Sequence, residues 1–308
     1  MRDQIAAIDI GTNTILLLIG EVSKNGEVYP VYEAQNVARL GKGVDKTGKL
    51  NRKNMEKALQ ILREYKVIVD ANRVSKFLLV GTSALRDAAN RDEFLNRVRK
   101  ELGWEIKIIP GKEEARLSFL GALSNKADLR GRVLVVDIGG GSTEFVWGTT
   151  ETMEGRKSLN IGSVRLTERF FHHDPPSLEE INELIVHIKN RLSSLPTDIP
   201  KPNHLVGVAG TVTTLAAMVL QEKKYNSEKI DGFKLSLQKV SMLIRRMQTM
   251  PAKERLKLPG LYPGREDVIL AGSLLLMEIL KVFKQKDLIV SDRGLRFGLI
   301  LDDLRSVD

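Results

Sequence analysis

Two stretches of the chain carry the same order of residue types: an apolar strand ending in Asp, a turn of small or hydroxylated residues, and a second apolar strand ending in Gly. The first is Asp9-Ile10-Gly11-Thr12-Asn13-Thr14, closing at Gly20. The second is Asp137-Ile138-Gly139-Gly140-Gly141-Ser142, running through Thr143 and Glu144 to Gly148. Turns without bulky side chains let backbone N–H groups converge on an anion, and Thr12, Asn13, Thr14 and Ser142 add hydroxyl and amide donors. Asp9 and Asp137 repel phosphate, so their presence argues for a bridging divalent cation, Mg2+ or Mn2+, with Glu144 as a further or water-mediated ligand. The competing reading of Glu144 is a carboxylate on a sheet surface. A lone Asp-x-Gly-Thr is ordinary hairpin chemistry; two in matched register describe facing loops around a phosphate chain.

Other segments carry chemistry less specifically. Gly81-Thr82-Ser83-Ala84-Leu85-Arg86-Asp87-Ala88 places the Ser83 hydroxyl at a predicted helix start, an anion site by geometry and dipole, with Arg86 able to fork onto phosphate oxygens. A simple N-cap with a solvated Arg competes. Glu113 and Glu114 fall in the first turn of a predicted helix, where the dipole favours a carboxylate that orients water or accepts a proton. Surface helices also put acids there for stability. The chain has no Cys, and its four His residues show no nucleophile or metal spacing. Gly207 to Thr211, with Gly210 and Thr211 at the turn, repeats the strand, small turn and helix start. Arg265 and Ser291-Asp292-Arg293-Gly294 are read as further helix starts. Each of these faces a cleft or merely caps a helix.

At 308 residues two domains are expected. After the first hairpin come a strand from Val28 to Glu33, a loop over Arg39 to Gly43, and a helix with Met55, Leu59, Leu62 and Val69 on one face. Phe77 to Val80 is a strand. Ala84 opens a helix whose apolar face continues through Phe94, Leu95, Val98 and Leu102, and Trp104 to Ile109 returns as a strand. Lys112 to Leu123 is helical, and Asp128 to Gly131 leads into the second hairpin. Beyond it lie a capping box at Ser177 and Glu180, a strand from His204 to Val208, a helix from Val212 to Leu220 and another through Leu237 to Met247. A long helix from Arg265 to about Phe283, a strand from Asp287 to Val290 and a terminal helix opened by Ser291-Asp292 complete the order. A hairpin followed by β-α alternation, twice, gives a duplicated α/β fold. The division expected is 1–127, joined by a C-terminal helix of about 297–308, and 128–296.

Charged residues at 28% and apolar ones at 42% are ordinary for a folded soluble protein. The net charge of +9 favours polyanionic partners, but aromatics are only 5% and no Lys/Arg run is interleaved with Phe or Tyr, so nucleic acid is not expected. The absence of Cys suits a cytoplasmic protein. Asp9 and Asn13 interrupt the N-terminal apolar run, which speaks against a secretory signal, and Val268 to Met277 is too short to span a bilayer.

In combination these motifs, together with Gly111-Lys112-Glu113-Glu114-Ala115-Arg116-Leu117 and Ser291 to Arg296, resemble the exopolyphosphatase and guanosine pentaphosphate phosphohydrolase (Ppx/GppA) family of the actin-like ATPase superfamily, nearly end to end. The resemblance implies two ribonuclease-H-like domains around an interdomain cleft, the last helix returning to the first domain. It implies Mg2+-dependent attack of water on a terminal phosphoryl group of inorganic polyphosphate or guanosine pentaphosphate, and a homodimer. By position Glu114 is the base, with Glu113 in reserve. Asp137 and Glu144, with Asp9, hold the metal. Thr12, Asn13, Thr14, Ser83, Arg86, Gly139, Gly140, Gly141, Ser142, Gly210, Thr211 and Arg265 hold phosphates. Longer members carry further C-terminal helical domains, so short chains or nucleotides are the expected preference here. The alternatives are an actin-like ATPase or kinase, and a non-catalytic regulator that binds polyphosphate or guanosine alarmones.

Overall fold

A computed structural model describes residues 4–23, 25–72 and 74–305. The chain divides into two units, Met1–Ser124 with Arg293–Asp308, and Asn125–Asp292. In the first unit β1 (Gln4–Ile10), β2 (Thr14–Val22) and β3 (Val28–Val37) are followed by α1 (Val44–Thr47), α2 (Arg52–Ala71), β4 (Lys76–Gly81), α3 (Ser83–Asp87), α4 (Arg91–Leu102), β5 (Lys107–Ile108) and α5 (Gly111–Leu123). The second unit holds β6 (Val133–Ile138), β7 (Thr143–Gly148), β8 (Met153–Leu159), α6 (Ser163–Phe170), α7 (Leu178–Leu192), β9 (His204–Val208), α8 (Ala209–Leu220) and α9 (Ser227–Ile230). It continues through β10 (Lys234–Ser236), α10 (Leu237–Met247), α11 (Ala252–Arg255), α12 (Ile269–Val282) and β11 (Asp287–Val290), after which α13 (Leu295–Arg305) completes the first unit. The last three residues of the expected C-terminal helix, 306–308, lie outside the described residues.

The two sheets share one plan. Sheet order in the first unit is β3-β2-β1-β4-β5, antiparallel across β3, β2 and β1 and parallel from β1 through β4 to β5. In the second it is β8-β7-β6-β9-β11, with the same directions, extended by antiparallel β10. This is a duplicated α/β fold of the actin-like kind. Both faces of the first sheet are covered, which is why Ile5 to Ile8 of β1 are apolar without alternation. Ala6, Ile8 and Ile10 enter a core with Met55, Leu59, Leu62 and Phe94, whereas Ile5 and Ala7 enter another with Leu117, Phe297 and Ile300. Tyr65 fastens α2 to the sheet by donating its hydroxyl to the Ile15 carbonyl at 2.9 Å.

Several boundaries differ from expectation. The helical stretch after Gly81 breaks at Ala88 to Asn90, because the Asn90 side chain bonds both the N–H and the carbonyl of Leu50, 2.7 and 3.1 Å away. Only Lys107 and Ile108 of the segment from Trp104 to Ile109 pair as strand; Trp104 is buried against the core and its ring lies 5.4 Å from that of Phe77. The long helix starts at Ile269, not Arg265, after the left-handed turn at Gly264, and the last one starts at Leu295, not Ser291. The polar edge strand β8 and the short α9 and β10 lacked the apolar periodicity that would have marked them, and α6, although amphipathic, is only eight residues long. The capping box at Ser177 and Glu180 is present. No helix among the described residues is long and apolar enough to cross a membrane.

Helices α5 and α13 cross at backbone contact: a Cβ on Gly121 would lie 2.0 Å from the Gly294 carbonyl oxygen, and one on Gly298 1.9 Å from that of Leu117. Arg116 clamps the crossing, forking onto both oxygens of Glu113 and of Asp302 at 2.6 to 3.0 Å. These bonds hold Glu113 below its ordinary 4.5 and Asp302 below 3.8, and raise Arg116. Because both carboxylates are depressed in the folded state, their contribution is complete above pH 4.5 and fades as the pH falls through the lowered values. Replacing Arg116→Met should therefore cost roughly 1 kcal/mol near pH 7, the clamp being partly exposed. The deficit should shrink between about pH 5 and pH 3, read as the difference in urea midpoints; a pH-independent deficit would contradict this origin.

Candidate functional site

Each unit builds its own set of candidate groups, starting from the hairpin turns. Gly11 donates to the Thr14 carbonyl at 3.0 Å, and Gly139 donates to the Ser142 carbonyl at 3.0 Å, so the two turns close identically. In each turn further carbonyls are satisfied within the unit. In the first, Thr12 accepts from Gly41 and Asn13 from Arg39, both at 2.8 Å. In the second, Gly139 accepts from Ser163, Gly140 from Val164 and Arg165, and Gly141 from the Arg165 Nε at 2.9 Å. A trans peptide turns its N–H opposite its carbonyl, so the N–H that follows each of these carbonyls lies on the opposite side of the turn. Thr12, Asn13, Thr14, Ser142 and Asp137 are buried at these positions.

The approach is tight enough to dictate residue type. A Cβ on Gly41 would meet Thr12 at 2.4 Å, and one on Gly162 would meet the Gly140 carbonyl at 2.5 Å. Loop 39–43 and the start of α6 therefore hold the turns from below. Sequence reasoning missed the role of Gly162, Ser163 and Arg165; the signal available was a Gly-Ser pair capping a helix directly after a strand.

Asp137 and Glu144 are cross-strand partners on β6 and β7, which places their side chains on one sheet face. Glu144 is fully buried, 0% exposed, and accepts from Ser158 Oγ at 2.7 Å. The sheet-surface reading of Glu144 is thus overturned: it is an interior carboxylate. Two carboxylates directly opposite one another are mutually destabilising unless a cation joins them, and two carboxylates completed by water and substrate oxygens suit Mg2+. Asp9 belongs to the first unit, opposite Leu16. Among the described residues no three His, Cys, Asp or Glu side chains gather into an all-protein metal cage.

In the first unit Arg86 and Glu114 come together. Arg86 Nη1 donates to the Glu114 carboxylate at 2.9 Å and to the Ile109 carbonyl at 2.9 Å. Glu114 is only 9% exposed. Glu113 is not beside it; one residue earlier on α5, it turns to the Arg116 clamp. Helix α3 is five residues long, so it supplies little dipole to an anion, and Ser83 sits 3.5 Å from Asp87 of the same turn.

In the second unit α8 begins at Ala209, one of few non-glycine residues with positive φ, at 68°. Gly210 follows, and the Arg265 guanidinium lies where a side chain would be: a Cβ there would lie 1.9 Å from Nη1 of Arg265. Thr211 and Arg265 are buried, and burial pulls the Arg265 guanidinium down to about 10. Arg265 thus does not open a helix; it lies across the first turn of α8. Asp292 of the last motif accepts from the Tyr225 hydroxyl, and its N–H donates to Asp231.

The sequence profile of the Ppx/GppA phosphatase family matches residues 19–307. Exopolyphosphatase 2 of Mycobacterium tuberculosis is 34% identical over 312 residues, covering 97% of this chain and 98% of that protein. The bifunctional 3-dehydroquinate synthase/phosphatase of Fusobacterium nucleatum is 36% identical over 98% of this chain, which spans only 46% of that relative's length. Among solved structures, the Aquifex aeolicus Ppx/GppA family member superposes with a TM-score of 0.83 at 34% identity, covering 100% of this chain and 99% of that one.

The Arg86–Glu114 pair has a measurable consequence. Arg86→Met should cost about 2 kcal/mol by chemical denaturation, because a largely buried carboxylate loses its charge partner. Arg86→Met combined with Glu114→Gln should recover most of that loss. An additive double variant would show that the two side chains are not coupled.

Proposed function

The chain belongs to the Ppx/GppA phosphatase family, and from that premise we propose that it hydrolyses phosphoanhydrides, releasing terminal orthophosphate from inorganic polyphosphate. The observation that carries this reading is the pair of identically closed turns, Gly11 to Thr14 and Gly139 to Ser142, which use carbonyls inside their own units and so suit the binding of an anion by backbone donors. A chain of phosphates presents such oxygens at every unit. Gly210, Thr211 and Arg265 add a third donor group, and the name of the mycobacterial relative agrees with the substrate class.

In the proposed reaction a water oxygen attacks the terminal phosphorus, the bridging P–O bond breaks, and orthophosphate leaves a chain one unit shorter. Glu114 orients that water and takes its proton; Arg86, bonded to it in the resting protein, holds the carboxylate in place and presents positive charge to the phosphoryl oxygens. Glu113 is engaged by Arg116 and serves the fold. Asp137 and Glu144, paired across β6 and β7, are suited to Mg2+, which would neutralise phosphate charge when bound. The turn donors bind and orient the chain, the main requirement where the transition state is loose and charge is spread over oxygens.

Orthophosphate release from short and long polyphosphate, guanosine pentaphosphate and ATP, with Mg2+ and with chelator, tests the proposal. Release from polyphosphate should require metal and should fall about 10²- to 10⁴-fold in Glu114→Ala. Release from guanosine pentaphosphate but not polyphosphate would move the substrate to the nucleotide. Turnover of ATP alone would replace the proposal with an ATPase, and binding without release would make the protein a sensor.

A further inference from the structure

Arg255, at the end of α11, is a buried cation that the proposed reaction does not use. Its side chain is 2% exposed, and burial lowers its guanidinium from the usual range. Nε donates to the Met247 carbonyl at the end of α10 and Nη1 to the Glu266 carbonyl, both at 3.1 Å. Nη2 lies 3.7 Å from Asp174 and has no hydrogen-bond partner. Asp174 in turn accepts from the Ala252 N–H at 2.9 and 3.0 Å, fixing α11. A buried guanidinium that spans three segments is costly to desolvate, and one purpose of such a group is to hold backbone that has no regular partner.

The backbone it holds is the turn that carries Arg265. The Arg265 carbonyl accepts from Val268 and Ile269 at 3.1 and 2.9 Å, starting α12, and the Glu266 carboxylate accepts from Gly264. The Glu266 carbonyl, one residue beyond Arg265, goes to Arg255. The turn is therefore tied to α12 on one side and to Arg255 on the other. From it the Arg265 side chain reaches Gly210, against which it packs with no room for a methyl group, and its buried Nε has no protein partner. A guanidinium so closely fitted is sensitive to small shifts of its anchor; misplacement by about 1 Å can cost about 10²-fold in a site that depends on position.

We propose that Arg255 is a positioning residue: by holding the Glu266 carbonyl it fixes the turn from which Arg265 reaches the start of α8, and thereby sets the affinity for the phosphate chain. The second half of this statement rests on the reading of Arg265 as a phosphate ligand; the first does not. Two measurements separate them. In protein labelled with 15N-arginine, the Arg265 Nε–H, identified by its loss in Arg265→Lys, should exchange slowly with water in the unaltered protein. It should exchange at least about tenfold faster in Arg255→Met, with Arg255→Lys, which retains the charge but places its donors on a single nitrogen, in between. Unchanged exchange in both variants overturns the positioning role, whatever the kinetics show. In orthophosphate release from a short polyphosphate with Mg2+, Arg255→Met should raise KM about tenfold and leave kcat within about twofold, and adding it to Arg265→Ala should raise KM no further. Additive effects, or a lowered melting temperature with unchanged KM, would reduce Arg255 to a stabilising residue. Arg265→Ala at the unaltered KM would remove the phosphate role of Arg265, and exchange alone would then decide whether Arg255 positions it.

Discussion

Both sheets depend on one constraint: the hairpin turns must satisfy their carbonyls inward. A backbone carbonyl at a buried turn needs a donor, and here the donors come from loop 39–43 in the first unit and from the opening residues of α6 in the second. That single requirement explains several residue identities at once. Gly41 and Gly162 have no side chain because the backbone passes within contact distance of the turn. Arg39 adopts a left-handed φ of 54° so that its N–H can reach Asn13. Arg165 sends its side chain, as well as its N–H, back to the glycine loop. Remove these supports and each turn could rotate its donors away from the side on which an anion would sit.

The acidic groups obey a different rule, in which adjacent residues are separated by the helix. Glu113 and Glu114 look interchangeable in sequence, yet one step along α5 is about 100° of rotation. Glu113 therefore meets α13 through Arg116 and Asp302, whereas Glu114 meets Arg86. The clamp through Glu113 and the near-contact of Gly121 with Gly294 fix the axial position of α5 and hence the depth of Glu114. A residue whose task is structural thus sets the place of the residue assigned to chemistry.

Much of this was legible in the sequence, for identifiable reasons. The paired turns, the strand His204–Val208 and the strand Asp287–Val290 were visible because strand apolarity and small turn residues are local properties. The Ser177 cap was visible because its motif is four residues long. What was hidden depended on distant partners. Arg265 reads as a helix start in sequence, and only the fold lays it over Gly210. The burial of Glu144 follows from Ser158 on a strand too polar to be anticipated. The break after Asp87 follows from Asn90 bonding a residue forty positions earlier.

Helix α13 has a consequence for how the molecule is made. Its residues Leu295, Phe297 and Ile300 close the face of the first sheet formed by Ile5, Ala7, Leu18 and Val80. A chain synthesised from its N-terminus must therefore hold that face open to water while the whole of Asn125–Asp292 is made. The second unit is contiguous in sequence, whereas the first is completed by α13. The unit that is begun first is therefore the one whose sheet face is covered only by residues made after the whole of the other.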